Sequence, residues 1–256
     1  MHPRRHFLTR SRIALALLVA LFALAAGTRT AGAAAEVHRL NLVLSAIPTE
    51  ITGGDVTEQI DATNRFLESF GLKGLERIKQ GWLFEAQLRY MATSKIALNA
   101  GVGQIKSSTE QEYLPAIQQD FRLRYEVFSV PVTVGAAYYM QPHNQGDFQA
   151  RVYLGGGFLS MIQSRLKFQV SANGVPGLTS TVVAWKRDGP GAYLEGGVHM
   201  YFASRFSVLL GAMYRSAKVE ALLDRSTHEP AYAPDGLPFS LDLSGIGARM
   251  AVAIGL

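Results

Sequence analysis

The sequence predicts an all-β protein: an eight-stranded antiparallel up-and-down barrel of the membrane-spanning kind, with a short helical segment in its first long loop. Three observations predict it. Eight stretches alternate apolar and polar residues with period two, the spacing of half-buried strands rather than helices. Their connections alternate too: long at 48–81, 105–120, 171–189 and 221–239, short at 91–95, 141–147 and 203–205. Short turns at one end and long loops at the other are the pattern of a barrel that crosses a bilayer. Finally, the polar face is crowded with glycine, at Gly101, Gly103, Gly135, Gly155, Gly157, Gly197, Gly211, Gly245 and Gly247.

The first 35 residues are set apart from this pattern. Arg4, Arg5, Arg10 and Arg12 form a positive n-region, Ile13 to Ala26 is unbroken apolar sequence, and small residues follow up to Ala35. This reads as a secretory signal peptide, too short for a membrane span of about 20 residues. Arg4-Arg5-His6-Phe7-Leu8 is similar to the twin-arginine export motif, whereas the leucine-rich run fits the general secretory route. Removing residues 1–35 leaves residues 36–256 as one barrel domain with 20 basic and 20 acidic residues. The basic balance therefore belongs to the leader, and nothing in the charge argues for a nucleic-acid partner. The absence of cysteine excludes disulfide frameworks, thiolate metal sites and cysteine nucleophiles.

The elements follow in order. Val37 to Ile47 is the first strand, with Leu40, Leu42, Leu44 and Ala46 on one face and Arg39, Asn41 and Ser45 on the other. From Asp55 to Ile78 the apolar spacing changes to three and four. This predicts one or two short amphipathic helices, capped by Asp55 and broken near Gly71 and Gly74. They are expected as ordered loop packing on the strand ends, with a lid or an interfacial helix as the functional reading. Trp82 to Tyr90 and Ile96 to Val102 make a hairpin. Lys106 to Asp120 reads as polar loop. In Phe121 to Met140 the apolar phase flips near Val127, which predicts a β-bulge there. Phe148 to Val170 keeps one phase to its far end, and Ser171 to Asp188 reads as loop. Gly191 to Phe202 and Phe206 to Arg215 flank a tight turn at Ala203-Ser204-Arg205, and Gly245 to Leu256 is the last strand.

Alternation alone leaves open a soluble periplasmic barrel with its apolar face inward around a hydrophobic ligand. Glycines on the polar face fit the inverted arrangement, where they make room for large neighbours in a narrow lumen. Aromatics of the apolar face, Tyr90, Tyr138, Phe148, Phe202 and Phe206, gather beside the short turns, and Trp82 stands at the opposite end of its strand. These six are the expected membrane-interface aromatics. The polar face then places Arg39, Glu85, Arg89, Arg151, Glu195, Arg215 and Arg249 in the lumen as an ion-pair ladder, with Arg122, Arg124 and Glu126 further toward the loops. The ladder is expected to act as an electrostatic plug, with a gated or very narrow ion path as its functional counterpart.

With these residues in place, residues 37–256 resemble the small eight-stranded outer-membrane barrels of Gram-negative bacteria, the OmpA, OmpX and OmpW kind. The Met250-x-Val252-x-Ile254-x-Leu256 terminus is similar to the C-terminal strand signal read by the barrel-assembly machinery, although that signal ends most often in Phe. The resemblance implies an outer-membrane location, lipid and the assembly machinery as partners, a monomer, no cofactor and no enzymatic activity. A lipid-modifying enzyme is the third reading. His199, with Glu195 and Ser207 nearby, is its candidate, but Met200 and Tyr201 follow His199 where outer-membrane lipid A deacylases carry His-x-Ser. His38, His143 and His228 are scattered, with no metal-ligand spacing.

Overall fold

The structure, a computed structural model, describes residues 38–113, 121–145, 147–172, 180–202 and 205–256. The expected leader, and Ala203 and Ser204 of the expected tight turn, lie outside these residues. Eight strands form the wall: β1 (Leu40–Glu50), β2 (Gln80–Met91), β3 (Ile96–Tyr113), β4 (Phe121–Tyr139), β5 (Phe148–Ala172), β6 (Pro190–Tyr201), β7 (Phe206–Val219) and β8 (Gly245–Gly255). One helix, α1 (Asp55–Ser69), and short strands including Ser180–Lys186, Leu223–Asp224 and Leu241–Asp242 occupy the long connections.

Each wall strand pairs antiparallel with its neighbours in sequence, and β8 returns to β1, with Asn41 opposite Gly255 and Ala46 opposite Met250. The sheet therefore has no open edge through the barrel. Hydrogen-bonded partners can be followed once round it from Ser160 through Val132, Val102, Ala86, Leu44, Val252, Val208 and Met200. The path returns to β5 at Ala150, ten residues away. That stagger is the shear that closing eight tilted strands requires.

The wall is inverted relative to a soluble barrel. Inward residues are buried and many are polar: Asn41, Ser45, Gln87, Asn99 and Thr133 besides the charged set. Outward residues are apolar and exposed, among them Leu44, Phe84, Leu88, Leu98, Val102, Val134, Leu154, Leu194 and Leu210, with Phe158 exposed by 80%. An apolar band on the outside with a polar interior is the arrangement that lipid stabilises and water does not. The apolar-inward alternative is thereby overturned for the body of the barrel.

At the long-loop end the chemistry of both faces exchanges, and here the structure corrects the sequence reading. β4 keeps one phase throughout: Leu123, Tyr125, Val127, Ser129 and Thr133 all point inward and are buried. There is no bulge at Val127. The phase flip in the sequence records a change of surroundings, because above Phe128 the outside becomes polar and the inside apolar. The bulge lies one strand over, where Val130 faces Gln163 and Pro131 faces Met161, leaving Ile162 unpaired. It turns Leu166 inward, although Leu166 shares even numbering with the outward Leu154 and Phe158. Lys106 to Tyr113 is strand, not loop; its outward residues are polar because here the outer face leaves the apolar band. Ser180–Lys186, expected as loop, extends the sheet beside β5.

The apolar inner face of this extension is filled by α1. Val56, Ile60 and Leu67 are buried against Ile47, Leu83, Ile105, Leu123, Tyr125 and Val127, and Thr63 shares a 2.9 Å hydroxyl hydrogen bond with Tyr125. The segment forms one helix whose end is a Schellman arrangement. Gly71 adopts φ +70, Leu72 N–H donates to the Leu67 carbonyl and Gly71 N–H to that of Glu68. Asp55 is not the cap. Gly54 holds that position with φ 61, and Asp55 Oδ2 instead accepts from Ser240 N–H at 2.6 Å and Ser240 Oγ at 2.9 Å. The first and last long connections are thereby tied together over the mouth.

Glycines on the inner face answer to close approach. A Cβ at Gly135 would meet the Gly156 carbonyl oxygen and the Tyr193 hydroxyl. Replacing Gly135 with Ala is expected to cost about 1–3 kcal/mol by overpacking, read as a lower urea midpoint for unfolding from lipid vesicles. A Cβ at Gly236 meets nothing within 4 Å, but φ there is +82 in an exposed turn, so it is no matched control. Gly196→Ala, whose nearest neighbour would be a Leu154 methyl at 3.4 Å, serves better and is expected to change little.

Candidate functional site: a charged lumen

Period two on three strands brings four charged side chains together inside the barrel. β2 contributes Glu85 and Arg89, β6 Glu195, and β8 Arg249. Their exposures are 5%, 0%, 2% and 1%. They alternate in charge along one chain of contacts. Arg249 Nη2 donates to Glu85 Oε2 at 3.0 Å and Arg249 Nη1 to Glu195 Oε2. Arg89 Nη2 donates to Glu195 Oε1 at 2.7 Å. Neutral groups take most of the remaining lone pairs and protons. Thr133 donates to Glu85 Oε1 at 3.0 Å. Gln87 Oε1 accepts from Arg89 at 2.8 Å and Arg249 at 3.3 Å, and Ser45 Oγ accepts from Arg249 at 3.0 Å. Buried charges persist only with such partners, since desolvation otherwise outweighs their attraction.

The network continues toward the short-turn end through Tyr139 and Tyr153, which the sequence reading did not single out, to His199 and Ser207, which it named only as an enzyme candidate. Arg89 Nη1 donates to Tyr139 Oη at 2.8 Å, Tyr139 Oη lies 3.0 Å from His199 Nδ1, and His199 Nε2 lies 2.8 Å from Ser207 Oγ. Arg89 also stacks over Tyr153, 5.1 Å from the ring centre. The available signal was phase alone: Thr133, Tyr139 and Tyr153 occupy the same inward register as Gly135 and Arg151.

The other expected lumen residues are placed separately. Arg151 is buried near the short turns, where it donates to the Ser94 carbonyl at 2.5 Å and lies over the Tyr139 ring. Arg215 is buried below the mouth and donates from Nε to the Leu243 carbonyl at 2.7 Å. Arg39 is not a lumen residue. It precedes β1 and is exposed, because the first strand runs Leu40–Glu50 rather than beginning at Val37. Arg122 and Arg124 are also outside, on the polar outer face of the extension. There Arg122 pairs with Glu110 at 3.1 Å and Glu112 at 2.9 Å, and Arg124 pairs with Glu126 at 2.8 Å. Among the described residues the lumen thus holds four buried guanidinium groups and two carboxylates.

Among the described residues, buried side chains occupy the interior at two levels. The charged network fills its middle, and the apolar core around α1 fills its mouth. Ser207 and His199 touch, but both are buried and the third member at His199 Nδ1 is a tyrosine, not Glu195. Among the described residues no three His, Asp or Glu side chains gather as a metal site.

On the outside, Tyr90, Tyr138 and Phe206 are exposed at the short-turn end, and Phe148 and Phe202 pack with ring centres 5.8 Å apart beside the same turns. Trp82 stacks on Phe84 at 5.9 Å near the opposite border of the apolar band. Bordering aromatics, a closed ring of eight strands and an inverted wall now stand together. The architecture is that of the small eight-stranded outer-membrane barrels. Solved structures with a similar course include Ail, the attachment invasion locus protein of Yersinia pestis, at 10% identity over 86% of this chain and 98% of Ail, with a TM-score of 0.35. Ail in complex with the heparin analogue sucrose octasulfate aligns at 11% identity over 84% of this chain and 96% of that one, TM-score 0.33. Neisserial surface protein A aligns at 12% identity over 85% and 97%, TM-score 0.34. The sequence matches no family model and no curated protein. The architecture therefore rests on the strand pairing and burial above, not on these low scores.

Proposed function

We propose that this protein is an exported integral outer-membrane barrel, non-enzymatic, whose lumen is plugged and whose long-loop end is held out from the cell as a rigid structural or adhesive surface. The observation that carries this reading is the inversion of the wall, with Arg89, Arg249, Glu85 and Glu195 buried inside and Leu88, Leu154 and Phe158 exposed outside. The leader at residues 1–35 would direct export, and the last strand, Gly245–Gly255 with Leu256 after it, would engage the barrel-assembly machinery. The chain closes its own sheet, which supports a monomer. The plugged lumen favours a scaffold over a permeation path, and its surplus of guanidinium groups disfavours passage of cations.

Membrane fractionation followed by gel mobility with and without boiling tests the reading. An outer-membrane band that shifts on heating is expected. A soluble periplasmic band with no shift would overturn the membrane assignment. In planar bilayers the purified protein is expected to give no resolved conductance steps. Steady single-channel steps altered by Glu85→Gln would replace the plug with a narrow path through the ladder.

A further inference from the structure

The outer wall carries a second cluster, just loopward of the apolar band, that the lumen network does not absorb. Lys106 on β3, Phe128 on β4 and Arg165 on β5 are consecutive partners along one hydrogen-bonded row, with Trp82 of β2 beyond Lys106. All four face outward. The Arg165 guanidinium lies over the Phe128 ring, 5.0 Å from its centre. Lys106 is exposed and forms no ion pair with any described residue. The carboxylate facing Arg165 is Glu126, one step further toward the loops. Arg165 reaches it only at 3.8 Å, while Arg124 holds it at 2.8 Å and Lys167 stands opposite in register. Glu110 and Glu112 lie higher still and face Arg122 and Arg124. Toward the apolar band, Gln104 and Gln163 present exposed amides. Directly beneath them run the outward Val102, Val132, Val134 and Phe158.

We infer that this row is a binding site for the anionic phosphate headgroup of a bilayer lipid, resting on the membrane reading above. Acyl chains lying on the valines and Phe158 would bring the headgroup of the same molecule to Lys106 and Arg165. A guanidinium that stacks on an aromatic at the hydrocarbon border is both desolvated on one face and open to an acceptor on its edge. Bilayer depth decides against a free anion, because the cations stand on the open wall at the border of the apolar band, directly above its outward valines and Phe158, rather than in a pocket of their own. Cations at this level attract anionic lipid by roughly a fivefold preference per residue.

The chain has two tryptophans, Trp82 and Trp185. In a Trp185→Phe background, Trp82 alone reports on this border. The protein is reconstituted into phosphatidylcholine bilayers containing a minority of either bromine-labelled phosphatidic acid or bromine-labelled phosphatidylcholine. Phosphatidic acid is expected to quench Trp82 with an apparent preference over phosphatidylcholine of up to about 25-fold, fivefold for each of the two cations. Lys106→Gln with Arg165→Gln should return quenching to the phosphatidylcholine level while heat-shifted gel mobility is kept. Equal, non-zero quenching by the two lipids would overturn the site and leave the membrane reading standing. Selective quenching that survives the double substitution would also overturn it. No quenching by either lipid would overturn the membrane reading and the site with it.

Discussion

Replacing Glu195 with Ala is expected to destabilise the barrel by about 3–5 kcal/mol, the cost of leaving buried charge without its partner. Of the two lumen carboxylates, Glu195 is the one that holds two guanidinium groups, Arg89 and Arg249, and its own side chain is fully screened from water. Its loss leaves Arg89 with Gln87 and Tyr139 oxygens only, and leaves two cations facing each other across the lumen. Glu85→Ala should cost less, since Glu85 holds Arg249 alone and takes its other hydrogen bond from Thr133. The measurement is the urea midpoint of folding into lipid vesicles. Pairing Glu195→Ala with Arg89→Met should recover part of the loss, because removing both partners leaves less uncompensated charge. Equal effects at Glu85 and Glu195, or a loss under about 1 kcal/mol at Glu195, would mean that the chain of ion pairs does not hold the lumen.

Leu88→Arg is the second large effect, about 2–4 kcal/mol if the residue faces hydrocarbon near mid-depth. Leu88 points outward, is 49% exposed, and lies within the apolar band between Tyr90 and Trp82 on its own strand. Ser108→Arg is the matched comparison. Ser108 also points outward from the sheet but stands on the polar extension, beyond Lys106, where a surface substitution changes stability by about 0.5 kcal/mol or less. A bilayer separates the two substitutions, while water treats them alike. The same pair measured in a water-soluble barrel would give two small values.

How much of this was legible depends on what each residue reports. Alternation in Trp82 to Tyr90 or Gly245 to Leu256 reports one face against another, and those strands, their pairing and the inward register of Glu85, Arg89, Glu195 and Arg249 follow from it. Alternation does not report which solvent each face meets. In β4, followed from the barrel body toward the loops, the apolar residues change from even to odd at Phe128 because the outer face turns polar and α1 replaces the polar lumen inside. A sequence pattern cannot distinguish that from a bulge. In β5 the opposite happened: an actual bulge at Ile162 coincided with the change of solvent, so the apolar phase ran on unbroken and concealed it. Asp55 had the composition of a cap, but its carboxylate is drawn to Ser240, 185 residues away in sequence. Contacts of that range, like those of Tyr139 with Arg89 and His199, are set by closure of the barrel and leave no local trace. Arg39 failed for a simpler reason, since it lies one residue before the first strand and so has no register to place it.

The central claim is that the wall faces lipid along its body and water along its extension, with the exchange near Phe128 and Ile162. A chain without cysteine allows a direct test. Single cysteines at Leu154, Phe158, Gln163, Arg165, Lys167 and Gln169, each carrying a nitroxide label, can be scanned in vesicles for relaxation by oxygen and by a water-soluble nickel chelate. High oxygen access at Leu154 and Phe158 is expected, giving way to nickel access at Arg165, Lys167 and Gln169 although the numbering has changed from even to odd. Nickel access at Leu154 and Phe158 would contradict the account, because the exposed apolar band would then lie in water and the barrel would have to be read with some other partner covering it.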